Sequence, residues 1–94
     1  MKLIVKVKKI KGHCPVYKVG DEFIIEDGYK LKSNSALCMH SLVSIFPYYV
    51  ALSKGVSPKD LGLSKDNKKA YVQCLDPCEY TGGGTVIFEI LRED

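Results

Sequence analysis

Nothing in this sequence is long and apolar enough to cross a bilayer. Its least polar run, Ala36 to Leu52, is interrupted by His40, Ser41, Ser44 and Pro47 and falls short of the ~20 apolar residues that a spanning helix needs. Met1-Lys2 leads into Leu3-Ile4-Val5 and at once into Lys6, so no apolar core of a signal peptide forms. These absences predict a cytoplasmic protein with no membrane partner. A strong charge of one sign is lacking too: 14 basic residues face 11 acidic ones, a net charge of +3. A dedicated nucleic-acid binder carries a larger excess gathered on one face, so nucleic acid is not favoured as a partner, although the charge alone excludes neither RNA nor an anion. There is no C-x-x-C pair, no internal repeat, and no Lys-Ser or Lys-Thr after Gly82-Gly83-Gly84. The thioredoxin-type redox motif and the phosphate-binding loop are thereby missing.

What is present describes one ordinary domain. The 94 residues suffice for a single unit over Met1–Asp94. Hydrophobic residues make up 46% and charged ones 27%, a globular balance that argues against disorder. Lys2 to Ile10 alternates, with Leu3, Val5 and Val7 on one side and Lys2, Ile4, Lys6 and Lys8 on the other, the period of a half-buried strand. Glu22 to Glu26 reads as a second short strand closed by Asp27-Gly28. Ser33, Asn34 and Ser35 offer caps for a helix from Ala36. On that helix Cys38, Leu42, Ile45 and Tyr49 form one row and Met39, Val43, Phe46 and Val50 the next, predicting a wide buried face with His40, Ser41 and Ser44 away from it. Pro47 predicts a kink or a break, and Gly55 a stop. Ser57-Pro58-Lys59-Asp60 is a second, short helix start. Ala70 to Leu75 and Thr85 to Leu91 are strands three and four, joined by a flexible loop over Asp76 to Gly84. The expected fold is α+β: an antiparallel sheet of about four strands, ordered β-β-α-(α)-β-β, with a kinked helix packed on one face. A homo-oligomer is compatible with this pattern.

Chemistry concentrates on the cysteines. A reducing cytoplasm makes Cys14, Cys38, Cys74 and Cys78 thiols rather than disulfides. Thiolates from a loop, a helix start and a turn can hold zinc or an iron–sulfur cluster. The first reading is therefore a small binding domain organised by a metal on Cys14, Cys38 and Cys74, with Cys78 or His13 as fourth ligand. Against it, Cys74 and Cys78 are separated by three residues, one of them Pro77, and the other two are singletons; each thiol can equally pack as a small hydrophobe. The second reading is a thiol-dependent enzyme with Cys14 as nucleophile, His13 or His40 as base and Asp21 or Asp76 as orienter. The third is a protein-interaction or anion-binding module in which Lys2, Lys6 and Lys8 form the anion-binding face and the cysteines are structural. Those lysines can also serve to discourage edge-to-edge strand pairing.

Gly12-His13-Cys14-Pro15, Lys18-Val19-Gly20-Asp21-Glu22-Phe23, Cys38 followed by Phe46-Pro47-Tyr48, and Cys74-Leu75-Asp76-Pro77 together resemble a family of small uncharacterised bacterial and archaeal proteins of this length. The resemblance implies cysteines recurring at the positions of Cys14, Cys38 and Cys74, whereas Cys78 and Gly82-Gly83-Gly84 look peculiar to this chain. It implies a three-cysteine set more readily than a four-cysteine one and carries no activity with it. The three readings differ in geometry. A metal site needs converging sulfurs, an enzyme needs an exposed thiol beside an imidazole in a pocket, and an interaction module needs scattered thiols and an exposed patch.

Overall fold

The computed structural model describes Met1–Asp94. The alternating segment forms the central strand β1, Lys2–Gly12. It is flanked by β2, Glu22–Glu26, and by the last strand β5, Gly84–Glu93, both antiparallel to it. β3, Lys30–Lys32, pairs outside β2, and β4, Lys69–Gln73, outside β5. The sheet therefore has five strands in the order β3-β2-β1-β5-β4, not four. The extra strand is three residues long, and two of its residues are lysines. Asp27 and Gly28 both take positive φ, 56° and 85°, which turns the chain back into β3 as a primed hairpin turn requires.

The pairing of β1 with β5 slips by one residue between Val7 and Lys9. Lys8 is the extra residue of a β-bulge, which reverses the parity of the strand beyond it. Leu3, Val5 and Val7 face the core before the bulge, and Ile10, opposite Val86, faces it afterwards. Phe88 of β5 is fully buried and meets Tyr17 and Phe23 edge-to-face at 5.5 and 6.4 Å between ring centres.

A single helix, α1, Met39–Ser53, covers this face through Leu42, Ile45 and Leu52. Burying a side chain of this size contributes about 1.5–3 kcal/mol. The helix starts later than its sequence suggests. Ser33 and Ser35 hydrogen-bond each other rather than cap it, and Cys38 stands at the N-cap with no side-chain cap bond. Pro47 lies inside α1 without dividing it into two helices. The residue it deprives of a partner four positions back, Val43, is half exposed, so water can serve its carbonyl. The second, short helix after Ser57 is absent. Ser57 donates to Asn67 instead of capping, and the segment makes only hydrogen-bonded turns before Gly62. No helix is long and apolar enough to cross a membrane.

Both edges of the sheet are guarded. β3 is short and carries Lys30 and Lys32, each in an ion pair with Asp27 or Glu26. On the other side the Tyr71 amide donates to the Leu63 carbonyl at 2.8 Å, so the flanking turn occupies part of the free edge of β4.

Candidate functional site

The four cysteines lie at one end of the sheet, where β1 finishes and β5 begins. Glycine makes this end compact: a Cβ on Gly84 would stand 2.7 Å from the Cys14 nitrogen. Gly83 and Gly84 are thus close-packed positions rather than parts of a flexible connector, while Gly82 stands open. Its loop is tied by Thr81 to the Asp76 carboxylate and by Thr85 to the Asp76 carbonyl.

Within this end the sulfurs of Cys14 and Cys74 have separate partners. Cys14 is half-buried, and its sulfur accepts the Tyr17 amide at 3.3 Å. Cys74 is buried in the core, and its sulfur accepts the Asp76 amide at 3.4 Å. Cys78, half-buried, donates its amide to Thr85 at 3.4 Å. All four are free. Nowhere do three or more His, Cys, Asp or Glu side chains gather in a way that could hold a metal ion. The proposed set of Cys14, Cys38, Cys74, Cys78 and His13 therefore shares an end of the molecule without forming a donor cage. A shallow depression of about 440 Å³ opens beside His13, Cys14 and Tyr17. The two carboxylates considered as orienters are engaged elsewhere, Asp21 with the Lys18 amide at 2.9 Å and Asp76 with Thr81. His13 and His40 are both exposed.

A residue that periodicity placed away from the core organises this end. Ser41 is fully buried. The Cys38 amide donates to the Tyr17 hydroxyl at 2.9 Å, that hydroxyl meets Ser41 Oγ at 2.8 Å, and Ser41 Oγ donates to the Cys38 carbonyl at 2.7 Å. The circuit starts and ends on the backbone of Cys38 and pins the Cys14–Tyr17 loop to the start of α1. Burial pushes the Tyr17 hydroxyl above its ordinary range, against the opposing pull of its Ser41 and Cys38 hydrogen bonds.

The lysine face is answered by carboxylates. Lys2 pairs with Glu93 at 3.9 Å, and Lys8 with Glu89 at 3.4 Å; Lys6 stands opposite Glu22 and Glu89 in register. Glu89 also reaches Lys69 at 3.5 Å. Burial pushes its carboxyl up, but hydrogen bonding and charge from Lys8 and Lys69 outweigh it and hold the group below the ordinary glutamate range. The sign follows: a depressed folded value adds stability above the unfolded value, and that stability is lost as pH falls through the folded one. Glu89→Gln is expected to flatten the loss of thermal stability below about pH 4.3, measured as Tm against pH. An unchanged acid limb would show that Glu89 does not carry it.

The largest departure from expectation is on α1. Only one of its two apolar rows is buried. Met39, Val43, Phe46 and Val50 are between 50 and 67% exposed, and the whole helix contains no Asp, Glu, Lys or Arg. Beside this row runs a groove of about 240 Å³ lined by apolar side chains alone. Phe46 and Tyr49 form one side of it and Tyr29 and Leu31 the other, with buried Ile25, Leu42 and Ile45 beneath. Phe46 and Tyr49 meet edge-to-face at 6.2 Å. Comparison with protein-family models, with curated proteins and with solved structures gives no match to this chain.

Proposed function

We propose that this chain is a protein-interaction domain whose contact surface is the outer row of α1 with the groove beside it, and whose partner presents an apolar, uncharged protein face. The observation that carries this reading is the row Met39, Val43, Phe46 and Val50, exposed on a helix with no charged residue. A solvent-facing helix surface ordinarily carries charge, and a contiguous exposed apolar patch marks an interaction site.

The other readings have less behind them. A cysteine-held zinc or iron–sulfur site would need the thiols to converge, and the Cys14 and Cys74 sulfurs accept different backbone amides with no three-residue donor group around them. A Cys14 nucleophile would need an oriented imidazole, and Asp21 and Asp76 serve other groups. An anion site on Lys2, Lys6 and Lys8 would compete with Glu93 and Glu89. Kinship with the family of small proteins is part of the same proposal. Of the residues that carry that resemblance, Phe46 is the one on the contact surface.

The test uses an environment-sensitive apolar dye titrated into dilute native protein. Wild type is expected to bind it, and Phe46→Glu to lose the signal while Tm stays within about 3 °C, since a charged residue at an exposed position shifts stability by only ~0.5 kcal/mol. Unchanged dye binding in the folded variant would overturn the assignment of this surface.

A further inference from the structure

We propose that the partner is a second copy of this chain, packed about a two-fold axis with the two α1 rows antiparallel; this rests on the contact surface assigned above. Three features carry it.

The first is size order along the row. Met39, Val43, Phe46 and Val50 read large, small, large, small along one side of the helix. Antiparallel pairing about the midpoint sets Met39 against Val50 of the other copy and Val43 against Phe46. A large side chain then faces a small one at every level, the arrangement that lets facing layers interdigitate. Parallel pairing would set Phe46 on Phe46 and Val43 on Val43. A two-fold axis makes the same patch serve both copies, with each unlike contact made twice.

The second is area. The four row residues together with Tyr29, 73% exposed, and Leu31, 46% exposed, offer on the order of 600–700 Å² of accessible surface, against ~800 Å² per partner in an interface of standard size. The patch is thus of the size that a stable pair of copies uses. The third is charge. The chain is net +3, so two copies carry a mild net repulsion. α1 is the one long element without a charged residue, so two copies meeting there bury no charge.

The experiment is sedimentation equilibrium of the full chain across roughly 1–500 µM, with dye binding on the same samples. Wild type is expected to approach twice its 10.5 kDa mass. Phe46→Glu and Val43→Lys, each alone, are expected to weaken association at least ~30-fold, as loss of a central anchor does. Mixed in equal amounts they should form a dimer again, because antiparallel pairing sets the new lysine against the new glutamate and leaves one Phe46–Val43 contact intact. Circular dichroism of each variant confirms that it is folded. A mixture that stays monomeric while wild type dimerises overturns the antiparallel arrangement. Wild type that is monomeric throughout but binds dye through Phe46 overturns self-association and leaves the interaction surface standing. Wild type that is monomeric and binds no dye overturns both.

Discussion

Phe88→Ala should lower Tm by at least ~12 °C, from a loss of about 3–5 kcal/mol. Phe88 is fully buried between the edges of Tyr17 and Phe23. It therefore supports the sheet, the Cys14–Tyr17 loop and β2 together. Truncation removes the transfer free energy of the ring and leaves a cavity that β1 and α1 cannot collapse to fill, since both are fixed by the strand ladder and by the other core contacts. A chain of this length has about 5–14 kcal/mol in all, so the change takes a large share of it. Leu91→Ala is the internal comparison. Leu91 is a half-buried residue on the opposite face of the same strand, and its truncation should cost less than half as much. Equal shifts for the two variants in a thermal melt would mean that the helix-covered face is not where the stability resides.

Tyr17→Phe should cost about 1–3 kcal/mol although it removes a single oxygen. The Cys38 amide loses its acceptor, and Ser41 Oγ loses its partner on one side while keeping the Cys38 carbonyl on the other. A donor left unpaired away from water costs more than the bond itself contributed, and the Cys38 amide is part-buried. The effect also has a pH signature. Burial raises the Tyr17 hydroxyl above its ordinary range. The stability linked to it is fully present below the unfolded tyrosine value, about pH 10, and is lost as pH rises through the folded one. Urea midpoints at neutral pH and at about pH 11 should therefore differ less in the variant than in wild type. A wild-type gap that persists unchanged in Tyr17→Phe would assign the alkaline loss to other groups.

Sequence alternation and periodicity were enough to place four of the strands and the buried row of the helix. Leu3, Val5 and Val7 alternate because one face of β1 is covered and the other is not, and local pattern reports that directly. Lys8 lies on the side that alternation gives it, but the bulge and the core-facing Ile10 beyond it are not legible, because a bulge is a relation between two strands: nothing in Lys6 to Ile10 shows that β5 advances by one residue fewer. β3 was missed because three residues, two of them lysine, carry no strand signal of their own; the Asp27-Gly28 dipeptide was the available clue. On α1, periodicity grouped the residues correctly but could not say how wide a strip the sheet covers. The sheet covers one row, so the second row became surface. Ser41 went the other way, polar by composition and buried by a partner, Tyr17, twenty-four positions away. The cysteines show the same limit: their spacing leaves convergence and separate packing both open, and only the fold shows Cys14 and Cys74 accepting different backbone amides.

The guarded edges of the sheet determine how this molecule can aggregate. A free strand edge invites main-chain pairing, and such pairing leaves another free edge at each step, so it propagates into fibres. Here β3 is too short and too charged to template a strand, and the turn through Leu63 already holds the Tyr71 amide on the far side. Growth by main-chain addition is hindered at both edges. The α1 row is a side-chain surface, and a two-fold contact made through it consumes it. On the two-fold pairing proposed above, association through that row saturates at a pair of copies rather than growing into a polymer.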